Sequence, residues 1–187
     1  MSKNRFINIY WEQYRLLEKR MIELSEYVEI NPKNYAAFSN QFISMYLMIC
    51  SEIDSVADEI CCLLGVTDKK ERFGINNKIT KILENYNNLR NWKCTVKISY
   101  EPIFLVPFAK FDDNTSSDWW QSYNKVKHFR AEKDEKGHYN YESANLKNIL
   151  SSLAALYLLI FKMNKEFGNP DMDMESSVFD IDFPTVL

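Results

Sequence analysis

The sequence predicts an all-α fold, an antiparallel helical bundle of about five helices with a short extended excursion near residues 92–113. Apolar residues make up 46% of the chain and aromatic residues 14%, which is too many for a disordered protein. Only four glycines and five prolines interrupt the 187 residues, and this favours long helices over a turn-rich sandwich or barrel. A chain of this length is expected to form one domain that hides about 70% of its unfolded surface, so its core needs neither disulfides nor a metal.

Two helices are predicted in the first third of the chain, because apolar residues recur there at spacings of three, four and seven. The first helix covers about residues 2–30, and Pro32 ends it because proline disfavours helix at the preceding residue. The second covers about residues 34–64 and is followed by Gly65, a residue type common just past a helix end. The first apolar stripe consists of Ile9, Leu16, Leu17, Met21, Leu24 and Val28, and the second of Phe38, Phe42, Met45, Ile49, Ile53, Val56, Ile60 and Leu63.

The middle of the chain combines a weaker helix with an extended segment. The third helix covers about residues 75–91, where many asparagines compete for backbone hydrogen bonds. Residues 92–113 are rich in β-branched and aromatic residues and contain Pro102 and Pro107, which indicates an extended connector. A short hairpin within this connector is the alternative.

Two further helices complete the predicted bundle. The fourth covers about residues 115–133, and Thr115 and Asp118 have the spacing of a capping box at its start. The fifth covers about residues 144–167, with Ser143 as its N-cap and a glycine and a proline after its end.

Charge is unevenly spread along the chain, whose net charge is -3. Residues 65–140 hold fourteen basic and ten acidic residues, whereas residues 1–64 hold six basic and nine acidic ones. The middle of the chain is therefore mildly basic and could present a face to phosphate. Residues 169–187 hold five acidic residues and no basic one. We expect residues 1–168 to form a single helical domain and residues 169–187 an acidic C-terminal tail.

The cysteine, histidine and apolar patterns indicate a cytoplasmic protein without a metal or cofactor. The four cysteines form no C-x-x-C pair, and His128 and His138 stand ten residues apart, so no zinc site is expected. The N-terminal segment is charged and amphipathic, unlike a secretory signal. The longest apolar run, residues 149–161, is shorter than the roughly 20 residues of a membrane span, so we expect a buried core helix and no membrane contact. The glycine-rich phosphate loops and the nucleophile elbow are absent, which excludes the ordinary nucleotide-binding and hydrolase classes.

The most informative segment is residues 118–130, with the sequence DWWQSYNKVKHFR. On a helix, Trp119, Tyr123 and Val126 share one face, which core packing explains. The adjacent face collects one aromatic and three polar side chains, which are Trp120, Asn124, Lys127 and His128.

An amide, a cation and a histidine on one turn of helix can together hold an anion. Lys127 supplies charge, Asn124 supplies orientable donors, and His128 can donate or accept a proton near neutral pH. A backbone phosphate or the 2′-hydroxyl of RNA suits such a site. The alternative is that Asn124 and His128 form a buried polar pair satisfied by neighbouring helices.

The pattern WW-x-x-YN-x-VKH-x-R, which ends at Arg130, resembles a signature of bacterial helical proteins of the HEPN type. Two further stretches agree in order, SEID at residues 51–54 and AN-x-x-NIL at residues 144–150, so the resemblance spans about residues 40–165. It implies a helical bundle, commonly dimeric, in a superfamily that includes RNA-cleaving toxins and phage-defence ribonucleases as well as non-catalytic members.

The resemblance implies a function in bacterial conflict systems or RNA metabolism, with RNA, an antitoxin or another partner protein meeting this face. The implied site residues are His128, Lys127, Asn124, Arg130 and, opposite them on the second helix, Glu52. For a cleaving enzyme the resemblance implies metal-independent attack by the ribose 2′-hydroxyl. His128 would then act as base or acid, and Lys127 or Arg130 would hold the phosphate.

The sequence departs from the catalytic members in one respect. They carry R-x₄₋₆-H, whereas no arginine precedes His128 or His138 at that distance, and Tyr123 stands just before Asn124. Two functions therefore stay open: a ribonuclease or RNA-binding protein, and a non-enzymatic interaction module whose polar cluster is structural.

A second polar cluster lies on the predicted second helix and consists of Glu52, Asp54, Asp58 and Glu59. Di-iron bundles use Glu-x-x-His motifs on two helices, and the predicted second helix contains no histidine. We expect these carboxylates to pair with Lys127 or Arg130 across the bundle.

Overall fold

The computed structural model describes residues 3–66, 74–112 and 115–183, with side chains from residue 7 onward. Within these ranges the protein is mostly helical and also contains a small sheet. The α-helices are α1 Lys3–Ser25, α2 Asn40–Leu63, α3 Ile75–Asn85, α4 Asp118–His128 and α5 Leu146–Phe167. The strands are β1 Lys93–Val96, β2 Phe104–Leu105 and β3 Phe179–Asp182, and short 3-10 turns occupy Pro32–Asn34, Asn87–Asn91 and Asn140–Ser143.

The central element is α5, which packs against α1, α2 and α4. Almost every side chain from Leu146 to Met163 is buried, because leucine, isoleucine and alanine occupy all of its faces. This helix of 22 residues is long enough to cross a membrane, and an 18-residue window within it has a mean hydropathy of 1.4, but 78% of that window is buried inside the protein. The predicted core helix is confirmed, and it is longer than the apolar run on which the prediction was based.

The all-α prediction is incomplete, because a three-stranded antiparallel sheet in the order β2-β1-β3 lies beside the helices. The predicted excursion at residues 92–113 contains the β1–β2 hairpin, in which Cys94 faces Leu105. On its other side Cys94 faces Ile181 of β3. The segment interpreted as an acidic tail supplies β3, because buried Phe179 and half-buried Ile181 alternate with exposed aspartates.

The predicted helices are longer than the observed ones, since local side-chain hydrogen bonds set the boundaries. Ser39 caps α2 by accepting a hydrogen bond from the Phe42 N–H at 3.1 Å, so α2 starts six residues later than predicted. Asn145, and not Ser143, caps α5 through the Asn148 N–H.

The predicted capping box at α4 is wrong. Ser117 is the N-cap of α4, and the Thr115 N–H donates instead to the Asp112 carboxylate at 2.6 Å. Asp118 binds the Lys110 ammonium at 2.9 Å. The Thr115 N–H and the Asp118 carboxylate, which would bind each other in a capping box, thus both bind residues of the loop before the helix.

The buried face of α1 differs from the predicted stripe. Ile9 and Leu16 are 52% and 47% exposed. The predicted stripe contained no aromatic residue, and it therefore missed the aromatic side chains that this helix buries. Trp11 and Tyr14 are buried and stack with ring centroids 5.2 Å apart, and Tyr14 stacks in turn on Tyr157 of α5 at 5.2 Å. The face of α1 that enters the core is Ile7, Trp11, Tyr14, Leu17 and Met21.

A buried carboxylate ties the C-terminal segment to α1. Glu18 accepts hydrogen bonds from the Tyr14 hydroxyl at 3.0 Å, from the Val178 N–H at 3.2 Å and from the Ser176 hydroxyl. Burial first, and then the Glu18 carboxylate, raise the pKa of Tyr14 well above its ordinary value, so its phenol stays protonated and donates. The Lys97 ammonium donates to the Ser176 carbonyl at 3.0 Å. Part of the predicted tail is therefore built into the domain.

Glu18→Ala is expected to lower the free energy of unfolding by about 2–3 kcal/mol, because it removes the acceptor that three buried donors share. Urea unfolding followed by circular dichroism measures this. Glu12→Ala is the matched control, since the exposed Glu12 carboxylate only approaches Arg15 at 3.9 Å, and it should change stability by less than about 0.5 kcal/mol. Equal losses in the two variants would contradict the assigned role of Glu18.

Candidate nucleic-acid interface

One face of α4 is anchored in the core by aromatic residues. Trp119, Tyr123 and Val126 are buried, as predicted. The Trp119 indole N–H donates to the Pro107 carbonyl at 3.0 Å, and the Tyr46 hydroxyl of α2 donates to the Trp119 carbonyl. These contacts hold α4 in a fixed orientation on α2 and on the loop before α4.

The polar residues of the adjacent face point to solvent. Trp120 is buried against Tyr123, with ring centroids 4.8 Å apart, whereas Asn124, Lys127 and His128 are exposed. Asn124 and His128 therefore do not form the buried polar pair that was the alternative interpretation. Arg130, just past the end of α4, is exposed as well, and its Nε donates to the Val126 carbonyl at 3.4 Å.

The chain after α4 forms a closed loop over residues 129–141. The Asn140 N–H donates to the Glu132 carbonyl at 2.8 Å, and the Tyr141 N–H donates to the Arg130 carbonyl at 3.3 Å. A backbone bridge pairs Lys133 with Tyr139 in antiparallel fashion. The two arms of the loop thus lie side by side, and Arg130 and Lys133 stand opposite the two tyrosines.

The tip of this loop is held by Asp134. Its carboxylate accepts hydrogen bonds from the N–H groups of Lys136 and His138, both at 2.9 Å, and Gly137 takes the left-handed conformation there, with φ +84°. The hydrogen bond from His138, more than any other effect, holds the pKa of Asp134 below its ordinary value. The turn is therefore closed by an ionised carboxylate at neutral pH.

A row of partly exposed aromatic rings runs along this loop, and sequence reasoning missed it. The rings of Phe38 and Tyr141 meet edge to face at 5.6 Å, and those of Tyr141 and Tyr139 stack at 5.8 Å with 22° between their planes. The signal available in the sequence was the alternation of Tyr139 and Tyr141 after Gly137, which places both rings on one side of an extended segment. Nothing in the sequence around Phe38, which lies a hundred residues earlier, indicates that its ring meets that of Tyr141. We call Phe38, Tyr139 and Tyr141 the aromatic row.

The cations of this surface lack acidic partners in the part of the chain that the structure describes. Among the described residues, no carboxylate forms an ion pair with Lys125, Lys127, Arg130 or Lys133. The Lys127 ammonium lies 5.4 Å from the Tyr123 ring centroid, and the Lys133 ammonium lies 4.7 Å from that of Tyr139. Positive charge and aromatic surface are thus combined at one end of α4.

The acidic cluster of α2 does not join this surface as expected. Asp54 and Asp58 bind the buried Lys78 ammonium of α3 at 2.7 and 2.8 Å, in place of the predicted Lys127 or Arg130. Burial lowers the pKa of Lys78, but hydrogen bonds to these two carboxylates outweigh it, so the net pKa is raised and Lys78 stays charged. These two α2 carboxylates therefore share one cation within the helix packing.

Glu52 has a different environment. Burial raises its pKa, and its charge contributes, after burial and Glu59, to the raised pKa of Tyr10 on α1. The described residues include no hydrogen bond or ion pair from Glu52 to Asn124, Lys127, His128 or Arg130. Of the predicted site residues, the structure brings together the four at the end of α4.

Metal-ligating side chains are dispersed in the part of the chain that the structure describes. No three His, Cys, Asp or Glu residues converge there in a manner that could hold a metal ion. Cys50, Cys61 and Cys94 are buried free thiols, and burial raises the pKa of each, that of Cys61 to about 11. Thiols in this state are protonated and poor nucleophiles near neutral pH.

Fold and site together define a helical protein with a small sheet and a basic, aromatic surface at the end of one short helix. No family model matches the chain, and no match was found among curated proteins or among solved structures. The residues of the chain itself, and the motif on α4, are therefore what indicates its function.

Trp119→Ala is expected to lower the free energy of unfolding by about 3–5 kcal/mol, because it empties a buried site and removes the hydrogen bond to Pro107. His128→Ala, on the exposed face of the same helix, should change it by no more than about 0.5 kcal/mol. Thermal and urea unfolding of both variants measures the difference. A large loss for His128→Ala would show that this histidine is structural.

Proposed function

We propose that the protein binds RNA at the exposed end of α4, through Asn124, Lys127, His128 and Arg130. The observation that carries the proposal is the division of one short helix into two faces. Its aromatic half is fixed in the core, and its polar half is presented to solvent without acidic partners among residues 3–66, 74–112 and 115–183. A surface helix with balanced charge carries acidic and basic residues together. A cluster of cations instead attracts the phosphates of a nucleic acid.

The motif on α4 supports the same function. Its resemblance to the HEPN signature implies an antiparallel bundle that meets RNA at these positions, and the exposure of all four polar residues agrees with that role. In this proposal Lys127 and Arg130 attract the phosphate backbone, and the Asn124 amide orients it. The phosphate contacts supply affinity without sequence preference.

His128 gives the surface a group for acid–base chemistry. Its exposed imidazole could remove a proton from the ribose 2′-hydroxyl, which would attack the adjacent phosphorus and leave a 2′,3′-cyclic phosphate. The leaving 5′-oxygen would then take a proton from the imidazolium or from water. Such a step needs positive charge on the phosphate, which Lys127 and Arg130 are placed to provide.

One observation favours binding without cleavage. In an R-x₄₋₆-H motif that ends at His128, the arginine can stand just before Asn124. This chain has Tyr123 at that position, and the Tyr123 ring is buried. The same surface would then serve a non-enzymatic module that holds RNA or a partner.

The test incubates the protein with labelled single-stranded RNA in EDTA and follows both binding and cleavage. We expect RNA binding to weaken as the salt concentration rises. Lys127→Ala and Arg130→Ala should each weaken binding and should each lower the slope of log affinity against log salt concentration by about one. His128→Ala should weaken binding less than Lys127→Ala does and should lower any cleavage rate by about 10²–10⁴-fold. Lys19→Ala, an exposed lysine of α1, is the matched control.

Three outcomes separate the alternatives. Cleavage that ends in 2′,3′-cyclic phosphate and depends on His128 supports a ribonuclease. Binding without any cleavage supports an RNA-binding protein that is not an enzyme. Absence of binding by the wild-type protein at low salt overturns the proposal.

We also propose that the protein acts as a homodimer, as the HEPN resemblance implies. A two-fold axis near α4 would bring two copies of the cation cluster to one cleft. Sedimentation velocity at micromolar concentration should show a species of about twice the 22.2 kDa of one chain. A single 22.2 kDa species under these conditions would contradict the dimer.

A further inference from the structure

The aromatic row is exposed although large aromatic side chains gain free energy from burial. Phe38 and Tyr139 are 43% and 41% exposed, and the neighbouring Phe129 is 52% exposed. Burial of a side chain of this size stabilises a fold, so each exposed ring forgoes part of that contribution. Exposed apolar surface that is clustered and not scattered marks an interaction site.

The row is also held in place by backbone contacts. Phe38 lies in an antiparallel bridge with Asn145, just before α5, and Tyr139 lies in one with Lys133. The Tyr139 N–H donates to the Glu142 carboxylate at 3.1 Å, and the Asn140 amide donates to the Phe129 carbonyl at 2.9 Å. The rings therefore need little ordering when a ligand arrives, which lowers the entropic cost of binding.

Cations accompany the rings. The Lys133 ammonium lies over the Tyr139 ring. The backbone hydrogen bond between Tyr141 and Arg130 holds Arg130 beside the row. Two carboxylates of the same region are occupied by backbone N–H groups, Asp134 by those of Lys136 and His138 and Glu142 by that of Tyr139. Exposed Glu132 and Glu135 lie on the same loop, but among the described residues no carboxylate forms an ion pair with Arg130 or Lys133. The row therefore combines planar apolar surface with two cations that can each meet a phosphate.

We propose that the aromatic row binds unpaired bases of a single-stranded RNA whose phosphates lie on Arg130, Lys133 and Lys127. This inference rests on the proposed function, and it specifies the substrate class and the means of recognition. Bases of a single strand can stack on aromatic side chains, whereas a duplex keeps its base faces inside its own stack. The Lys133 side chain, which covers one face of Tyr139, moves to a phosphate when a base takes its place.

The test measures fluorescence anisotropy with a labelled oligoadenylate, an abasic strand of the same length and a hairpin duplex. Stacking contributes about 1–3 kcal/mol per base, so Tyr139→Ala should weaken oligoadenylate binding about five- to 150-fold, and Phe38→Ala should also weaken it. Tyr139→Phe keeps the ring and should keep the affinity. Tyr100→Ala is the matched control, because Tyr100 is exposed in the connector between β1 and β2.

The abasic strand and the salt dependence isolate stacking from charge. Tyr139→Ala should bind the abasic strand as the wild type does and should keep the wild-type salt slope, since it removes no cation. Lys127→Ala should weaken the binding of all strands and lower the slope by about one. The hairpin duplex should bind more weakly than oligoadenylate and be unaffected by Tyr139→Ala.

The results that would overturn the two proposals differ. Unchanged oligoadenylate affinity in both Tyr139→Ala and Phe38→Ala, with a loss in Lys127→Ala, overturns base stacking and leaves RNA binding in place. A loss in Tyr139→Phe equal to that in Tyr139→Ala also overturns stacking, because the ring is still present. No binding of any strand by the wild type overturns the proposed function.

Discussion

The burial of α5 is the interaction on which the rest of the structure depends. From Leu146 to Met163 its side chains are almost wholly enclosed by α1, α2 and α4, and Tyr157 and Phe161 extend its contacts toward the sheet. A helix that is apolar on all faces gains stability only when every face is covered. The sheet is part of this covering, since Phe179 of β3 lies against Tyr157 with ring centroids 6.2 Å apart.

Enclosing α5 in this way determines where polar groups can be placed. Glu18 and Lys78 are buried at helix contacts, and each is surrounded by groups that satisfy it. Such groups cost stability when unpaired and fix one arrangement of the elements when paired. Glu18 joins α1 to the segment before β3, and Lys78 joins α3 to α2, so both act as specific links between distant parts of the chain.

The same links explain why positive charge collects at the end of α4. Much of the basic excess of residues 65–140 is neutralised by acids from elsewhere in the chain: Lys78 by α2, and Lys93 and Lys97 by the segment that carries β3. The cations of α4 and of the loop after it have no such partners among the described residues. A mild gradient along the sequence thus becomes a localised basic surface next to the aromatic row.

The sequence by itself determined the helices and the division of α4 into a buried aromatic face and an exposed polar face. It could do so because the spacing of apolar residues indicates which face a helix buries. It did not determine the sheet, since a strand as short as β3 becomes stable only when β1 lies beside it. Nor did it determine that Lys78 binds Asp54, or that Phe38 meets Tyr141, because these contacts join residues far apart in the chain. Only the tertiary structure decided them, since long-range contacts depend on how the helices pack around α5 and carry no local pattern.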